Sequence, residues 1–126
     1  MIFYKNKTKI LQNERVYMKL RIKDIDGVRS GIKIYDVNAI YEERNSMITI
    51  TGMVGMNNPN IIKNSPGLIC NIVGKNGIIL YSQKGKILYS VLLNNNAPFE
   101  IKIDNIINHV ILEEIDEFQI STYLDL

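Results

Sequence analysis

Residues 66–103 read PGLICNIVGKNGIILYSQKGKILYSVLLNNNAPFEIKI, and this stretch decides the fold. Three apolar runs are divided by two short polar breaks, Lys75-Asn76-Gly77 and Gln83-Lys84-Gly85. Asn-Gly tolerates the positive φ angles of a two-residue hairpin turn, so Asn76-Gly77 between apolar runs predicts a hairpin. The second break reads as another turn. An Asn-rich bend then leads through Pro98 into Phe99-Glu100-Ile101-Lys102-Ile103, whose strict alternation is that of a half-buried strand. The stretch is a meander of strands, and its apolar side requires a second layer to cover it.

The flanking sequence repeats the theme. Val16, Met18, Leu20 and Ile22 alternate with Tyr17, Lys19, Arg21 and Lys23, one side dry and one wet, and Asp26-Gly27 supplies a turn. Between Gly31 and Tyr41 the apolar parity changes: Ile32 and Ile34 are even, while Tyr35, Val37, Ala39 and Tyr41 are odd. A β-bulge near Tyr35 would bring both halves to one core. Ile48, Ile50, Val54 and Met56 share a side, and Gly52 and Gly55 within that strand mark a bulge or a close backbone approach. Residues 57–66 form a loop by composition.

Beyond the meander, Ile103, Ile107, Val110 and Ile111 have helical spacing, which suits one short helical turn near 105–112. The same residues suit a strand ending at Leu112, and an irregular crossing between layers is the favoured reading. Phe118, Ile120, Thr122, Leu124 and Leu126 then alternate as a terminal strand. The pattern predicts an all-β fold, an antiparallel immunoglobulin-like β-sandwich of about seven to nine strands. It forms a single domain over residues 1–126, with 1–14 an edge strand or frayed arm. The expected core is Leu20, Ile22, Ile48, Ile50, Val54, Ile72, Leu80, Phe99, Ile101, Ile103, Phe118, Ile120 and Leu124.

Composition agrees: 46% hydrophobic and 22% charged residues in a chain of 126 are those of an ordinary globular domain. The net charge of +2 is too small to imply a nucleic-acid or membrane partner by itself. Its distribution is uneven. Residues 1–33 hold nine Lys or Arg against three Asp or Glu, and residues 100–126 hold one Lys against seven acids. Cross-strand pairing of the two ends accounts for this, ahead of a basic face that recruits an anion. No apolar run is long enough for a membrane-spanning helix, and lysines and asparagines interrupt the first fifteen residues where a signal peptide would be apolar. As written the chain reads as cytoplasmic, and as exported if it is a mature fragment.

No residue pattern assembles a catalytic or metal site. Asp24-Ile25-Asp26-Gly27 has the look of half a calcium loop but lacks a third ligand before the glycine, and Tyr35 stands where the closing Glu would fall. His109 is the sole histidine, Cys70 sits in an apolar run, and Glu113, Glu114, Asp116 and Glu117 read as a solvated acidic face. Lys19, Arg21 and Lys23 with Tyr17 offer a basic strand that in principle tracks a phosphate backbone. The expectation is therefore a non-enzymatic module without cofactor. Its contact surface would be the loops at one end, Asn57, Asn58, Asn60, Asn64, Asn94, Asn95 and Asn96, because scaffolded loops commonly carry recognition. The partner would be another protein or a second copy, held by these loops or by an edge strand, and the alternative is a small nucleic-acid-binding β module using the basic strand.

The residues also carry a likeness. Ile48-Thr49-Ile50-Thr51-Gly52-Met53-Val54 precedes an Asn-rich loop, a strand from Leu68 to Val73, the turn at Asn76-Gly77, and Ala97-Pro98-Phe99-Glu100-Ile101. Over residues 47–126 this resembles bacterial immunoglobulin-like modules of the FxLYD type, with Asn76 where those carry Asp. The resemblance implies a β-sandwich used for adhesion, assembly or display, without catalysis.

Overall fold

The computed structural model describes residues 11–12, 15–18, 31–57 and 66–123. Eight strands are present among them: β1 (Leu11–Gln12), β2 (Arg15–Met18), β3 (Ile32–Glu42), β4 (Met47–Met56), β5 (Gly67–Gly74), β6 (Ile79–Ile87), β7 (Asn96–Ile103) and β8 (Ile115–Tyr123). Their order is β1-β2-β3-β4-β7-β6-β5-β8, and every ladder is antiparallel. Among the described residues, helix is confined to three 3₁₀ turns, Tyr89–Val91, Ile106–Asn108 and Leu112–Glu114.

Alternation places the apolar residues of each long strand on one side. Across the β4–β7 ladder, Ile48 faces Ile103, Ile50 faces Ile101, Gly52 faces Phe99 and Val54 faces Ala97. Across β5–β8, Cys70 faces Ile120 and Ile72 faces Phe118. All of these except Gly52 are at most 1% exposed, and they belong to a single cluster. A flat sheet with no helix over it would leave that side wet. The six long strands, β3 to β8, therefore curl into one nearly closed sheet whose two halves cover each other.

The curl is made by β6. Its first part, Ile79 to Gly85, pairs with β5, and its last two residues pair with β7 through Lys86–Glu100 and Ile87–Phe99. Gln83-Lys84-Gly85 is thus strand and not the second turn expected from sequence. Gly85 owes its identity to crowding: a Cβ there would collide with the Ile101 side chain and lie 3.0 Å from the Glu100 carbonyl oxygen. Gly52 shows the same logic, since its Cβ would stand 2.6 Å from the Phe99 ring. The break at Lys75-Asn76-Gly77 is a turn, with three residues in its loop instead of two. Gly77 takes φ +81° and donates to the Gly74 carbonyl at 2.9 Å, while Gly74 donates to Ile78 at 2.8 Å.

The parity change in β3 is a bulge, as the alternation requires. Tyr35 pairs with Met53 and Asn38 with Thr51, so Asp36 and Val37 together oppose Gly52, and Asp36 adopts φ +54°. Ile32, Ile34, Ala39 and Tyr41 all reach the core in consequence. Beyond its short ladder, β7 ends and residues 104–114 cross to β8. The crossing is irregular and contains two 3₁₀ turns, in line with the favoured reading, but the side chains it buries are Ile106, Val110 and Leu112. Ile107 and Ile111, grouped with the core side by their spacing, are 58% and 60% exposed. Val110 N–H donates to the Ile106 carbonyl at 3.0 Å, an i to i−4 bond that puts Ile106 and Val110 on the buried side and leaves the offset pair Ile107 and Ile111 outside.

Ile48, Ile50, Val54, Ile72, Phe99, Ile101, Ile103, Phe118 and Ile120 are buried as expected, and Leu80 packs half-buried against them. Leu20, Ile22 and Leu124 lie outside the described residues, as do the Asp24–Gly27 turn and the basic residues Lys19, Arg21 and Lys23. Among the described residues, β1 pairs with β2 and β8 with β5, at opposite ends of the strand order.

Phe99→Ala should cost about 3–5 kcal/mol, and Gly85→Ala about 1–3 kcal/mol through overpacking against Ile101. Urea unfolding of both variants measures this. If position 85 lay in an open turn, alanine there would leave the midpoint unchanged.

Candidate functional site

Registers Ile32–Met56 and Gly55–Asn96 bring the start of β3, the end of β4 and the start of β7 to one end of the sheet. The Asn-rich bend closes that end. Asn94 and Asn95 both take positive φ, +52° and +63°, and Leu93 and Asn96 exchange backbone hydrogen bonds of 2.8 and 2.9 Å. Two central left-handed residues define the type I′ hairpin turn, and asparagine tolerates that conformation better than other side chains with a Cβ. The Asn95 carbonyl accepts from Met56 N–H at 2.9 Å, and Asn57 N–H donates to the Gly31 carbonyl at 3.1 Å. The 94–95 bend and Asn57 are therefore stitched to the neighbouring strand ends.

On the outer side of this end, Tyr35 of β3 reaches over β4 to Asn96 of β7. Its phenol donates to Asn96 Oδ1 at 2.6 Å, and Asn96 Nδ2 donates to the Asn94 carbonyl at 2.8 Å. The bridge passes above Gly55, where a Cβ would sit only 2.9 Å from Asn96 Oδ1. Glycine on the middle strand is what leaves room for it. An open cleft of about 610 Å³ lies alongside, between Lys33, Tyr35, Gly55, Met56, Asn57 and Asn96. The Lys33 ammonium stands 5.8 Å from the centre of the Tyr35 ring. The cleft thus presents an aromatic ring, a cation and amides, with the Tyr35 hydroxyl and the Asn96 amide already bonded to each other and to Asn94.

Of the residues expected to make contacts, Asn57, Asn94, Asn95 and Asn96 gather at this end, and Asn57 and Asn96 line the cleft. Asn58, Asn60 and Asn64 lie outside the described residues. Sequence reasoning missed Lys33, Tyr35 and Gly55 as members. The signals were there, a parity break at Tyr35 and a glycine inside a strand, but only the register of three strands joins them to Asn96. Tyr89, in the first 3₁₀ turn, ties down the start of β5 by donating to the Pro66 carbonyl at 2.6 Å, and burial pushes its phenol up to about 12.

The other chemical groups are dispersed. His109 is exposed and its ring stacks on Tyr81, centroids 4.3 Å apart and planes at 19°. Glu113, Glu114 and Asp116 are exposed, while Glu117 is half-buried and accepts from Gln119 Nε2 at 2.6 Å. Cys70 is fully buried, and desolvation pushes its thiol up to about 12, so it packs as a small apolar residue. Among the described residues there is no group of three or more His, Cys, Asp and Glu arranged to hold a metal, and no helix long and apolar enough to cross a membrane. Compared with known protein families, curated proteins and solved structures, the chain matches none.

The Tyr89 phenol sets an alkaline limit. In the unfolded chain it ionises near 10, in the fold near 12, so the unfolded state releases its proton first as pH rises. Its contribution is full below pH 10 and declines between 10 and 12. Unfolding free energy measured across that interval should fall less steeply for Tyr89→Phe than for the parent, and identical slopes would contradict the burial of this hydroxyl.

Proposed function

We propose that the chain is a non-enzymatic protein-interaction or assembly module of bacterial type, an immunoglobulin-like β-sandwich of about seven to nine strands that binds its partner at the Asn-loop end. The observation that carries this reading is the cleft at that end, where strand-borne Lys33, Tyr35 and Asn96 meet the loop residue Asn57. Groups mounted on sheet and fixed by hydrogen bonds lose little entropy on binding, which suits recognition.

The sandwich reading draws support from topology. Strands β5, β6 and β7 follow one another, and β8 returns to lie beside β5, giving the spatial order β8-β5-β6-β7 of a Greek key. The pairs β4–β7 and β5–β8 bury their inner sides in one shared cluster, as the facing sheets of a sandwich do. The likeness to FxLYD-type modules points the same way, toward adhesion, assembly or display.

Immobilised protein tests the reading. Capture of a protein partner, or of the chain itself, that is lost with Tyr35→Ala and with Asn96→Ala supports it, with the expected loss at about tenfold or more in affinity. Capture that survives both substitutions removes the cleft from the interface. The alternative, a nucleic-acid module using Lys19, Arg21 and Lys23, predicts instead binding of random oligonucleotides that collapses as salt is raised.

A further inference from the structure

The opposite end of the sheet carries a second surface, set apart from the cleft by the length of β4, roughly 30 Å at about 3.3 Å per strand residue. Here Ile78, Ile79, Ile107 and Ile111 are 60%, 53%, 58% and 60% exposed. Two contacts draw them into one surface. Lys75 N–H donates to the Glu114 carbonyl at 3.1 Å, joining the β5–β6 turn to the crossing segment, and the Tyr81–His109 stack joins β6 to the same segment. Ile79 lies two residues from Tyr81, and Ile107 and Ile111 lie two residues either side of His109. Single exposed apolar residues are ordinary on a protein surface, whereas several gathered at one end mark a contact site.

Charge indicates what covers it. Asp104, Glu113, Glu114 and Asp116, all exposed, lie within a few residues of Ile107 and Ile111. Together with Glu43 they outnumber the exposed cations at this end among the described residues. Those cations are Lys75 in the β5–β6 turn, Lys102 near the end of β7, and Arg44 in the 43–46 turn, whose Ser46 carbonyl accepts from Ile106 N–H at 2.9 Å. An excess of carboxylates attracts Lys and Arg and repels other carboxylates, and it governs which partner docks on an apolar centre. We propose that this end docks a polypeptide segment whose apolar side chains are flanked by Lys or Arg, the apolar groups covering Ile79, Ile107 and Ile111 and the cations facing Glu113 and Glu114. The site is independent of the cleft and of the function proposed for it.

Fluorescence anisotropy with a short labelled peptide of isoleucines flanked by lysines, set against the same peptide with glutamate for every lysine, tests the proposal. The lysine peptide should bind and the glutamate peptide should not. Glu113→Gln combined with Glu114→Gln should weaken binding about tenfold at low salt, and the difference should shrink at high salt. Ile79→Ser combined with Ile111→Ser should abolish binding while circular dichroism and the unfolding midpoint stay unchanged, because both side chains are exposed. Tyr35→Ala, at the other end, should leave the affinity as it was. Equal binding of the two peptides, or binding of neither, overturns the proposal. So does a self-association seen by sedimentation that the serine variant disperses, since the occupant would then be a second copy.

Discussion

A sheet with one dry side and no helix to cover it must supply its own cover. That constraint shapes this molecule. The inner residues of β4 and β7 and those of β5 and β8 are sealed from water only because the two halves face each other. Burial at about 25 cal/mol per Å² of apolar surface rewards this closure.

Two glycines stand where backbone meets a side chain too closely for a Cβ. At Gly85 the strand hands over from β5 to β7 against Ile101, and at Gly55 the Tyr35–Asn96 bridge crosses the middle strand. One glycine serves the closure of the core and the other serves the candidate cleft. The same fold thus leaves two ends with different chemistry. One offers amides, a phenol and an ammonium, and the other offers exposed isoleucines on segments that also carry exposed carboxylates.

Much of the architecture was legible in particular residues. The parity change from Ile34 to Tyr35 announced the bulge at Asp36–Val37, and the alternation of Phe118, Ile120 and Thr122 announced β8. The run of asparagines at 94–96 announced a bend, and two of them take the left-handed angles that asparagine tolerates. Gln83-Lys84-Gly85 misled because a glycine beside polar residues is the same local signal whether it turns the chain or clears space for a distant neighbour. The crossing segment misled for a related reason: two apolar pairs of the same spacing interleave, Ile106 with Val110 and Ile107 with Ile111, and spacing alone does not say that the first is buried and the second exposed.

The sequence by itself determined the β class, most of the strands and the residues that shun water, since these depend on local alternation and turn chemistry. Tertiary structure alone decided which strands neighbour one another, and hence that Tyr35 meets Asn96 and that His109 lies on Tyr81. Alternation says only which side of a strand is apolar. The partner across a ladder, and the groups gathered at each end, are chosen by how the whole sheet closes over its core.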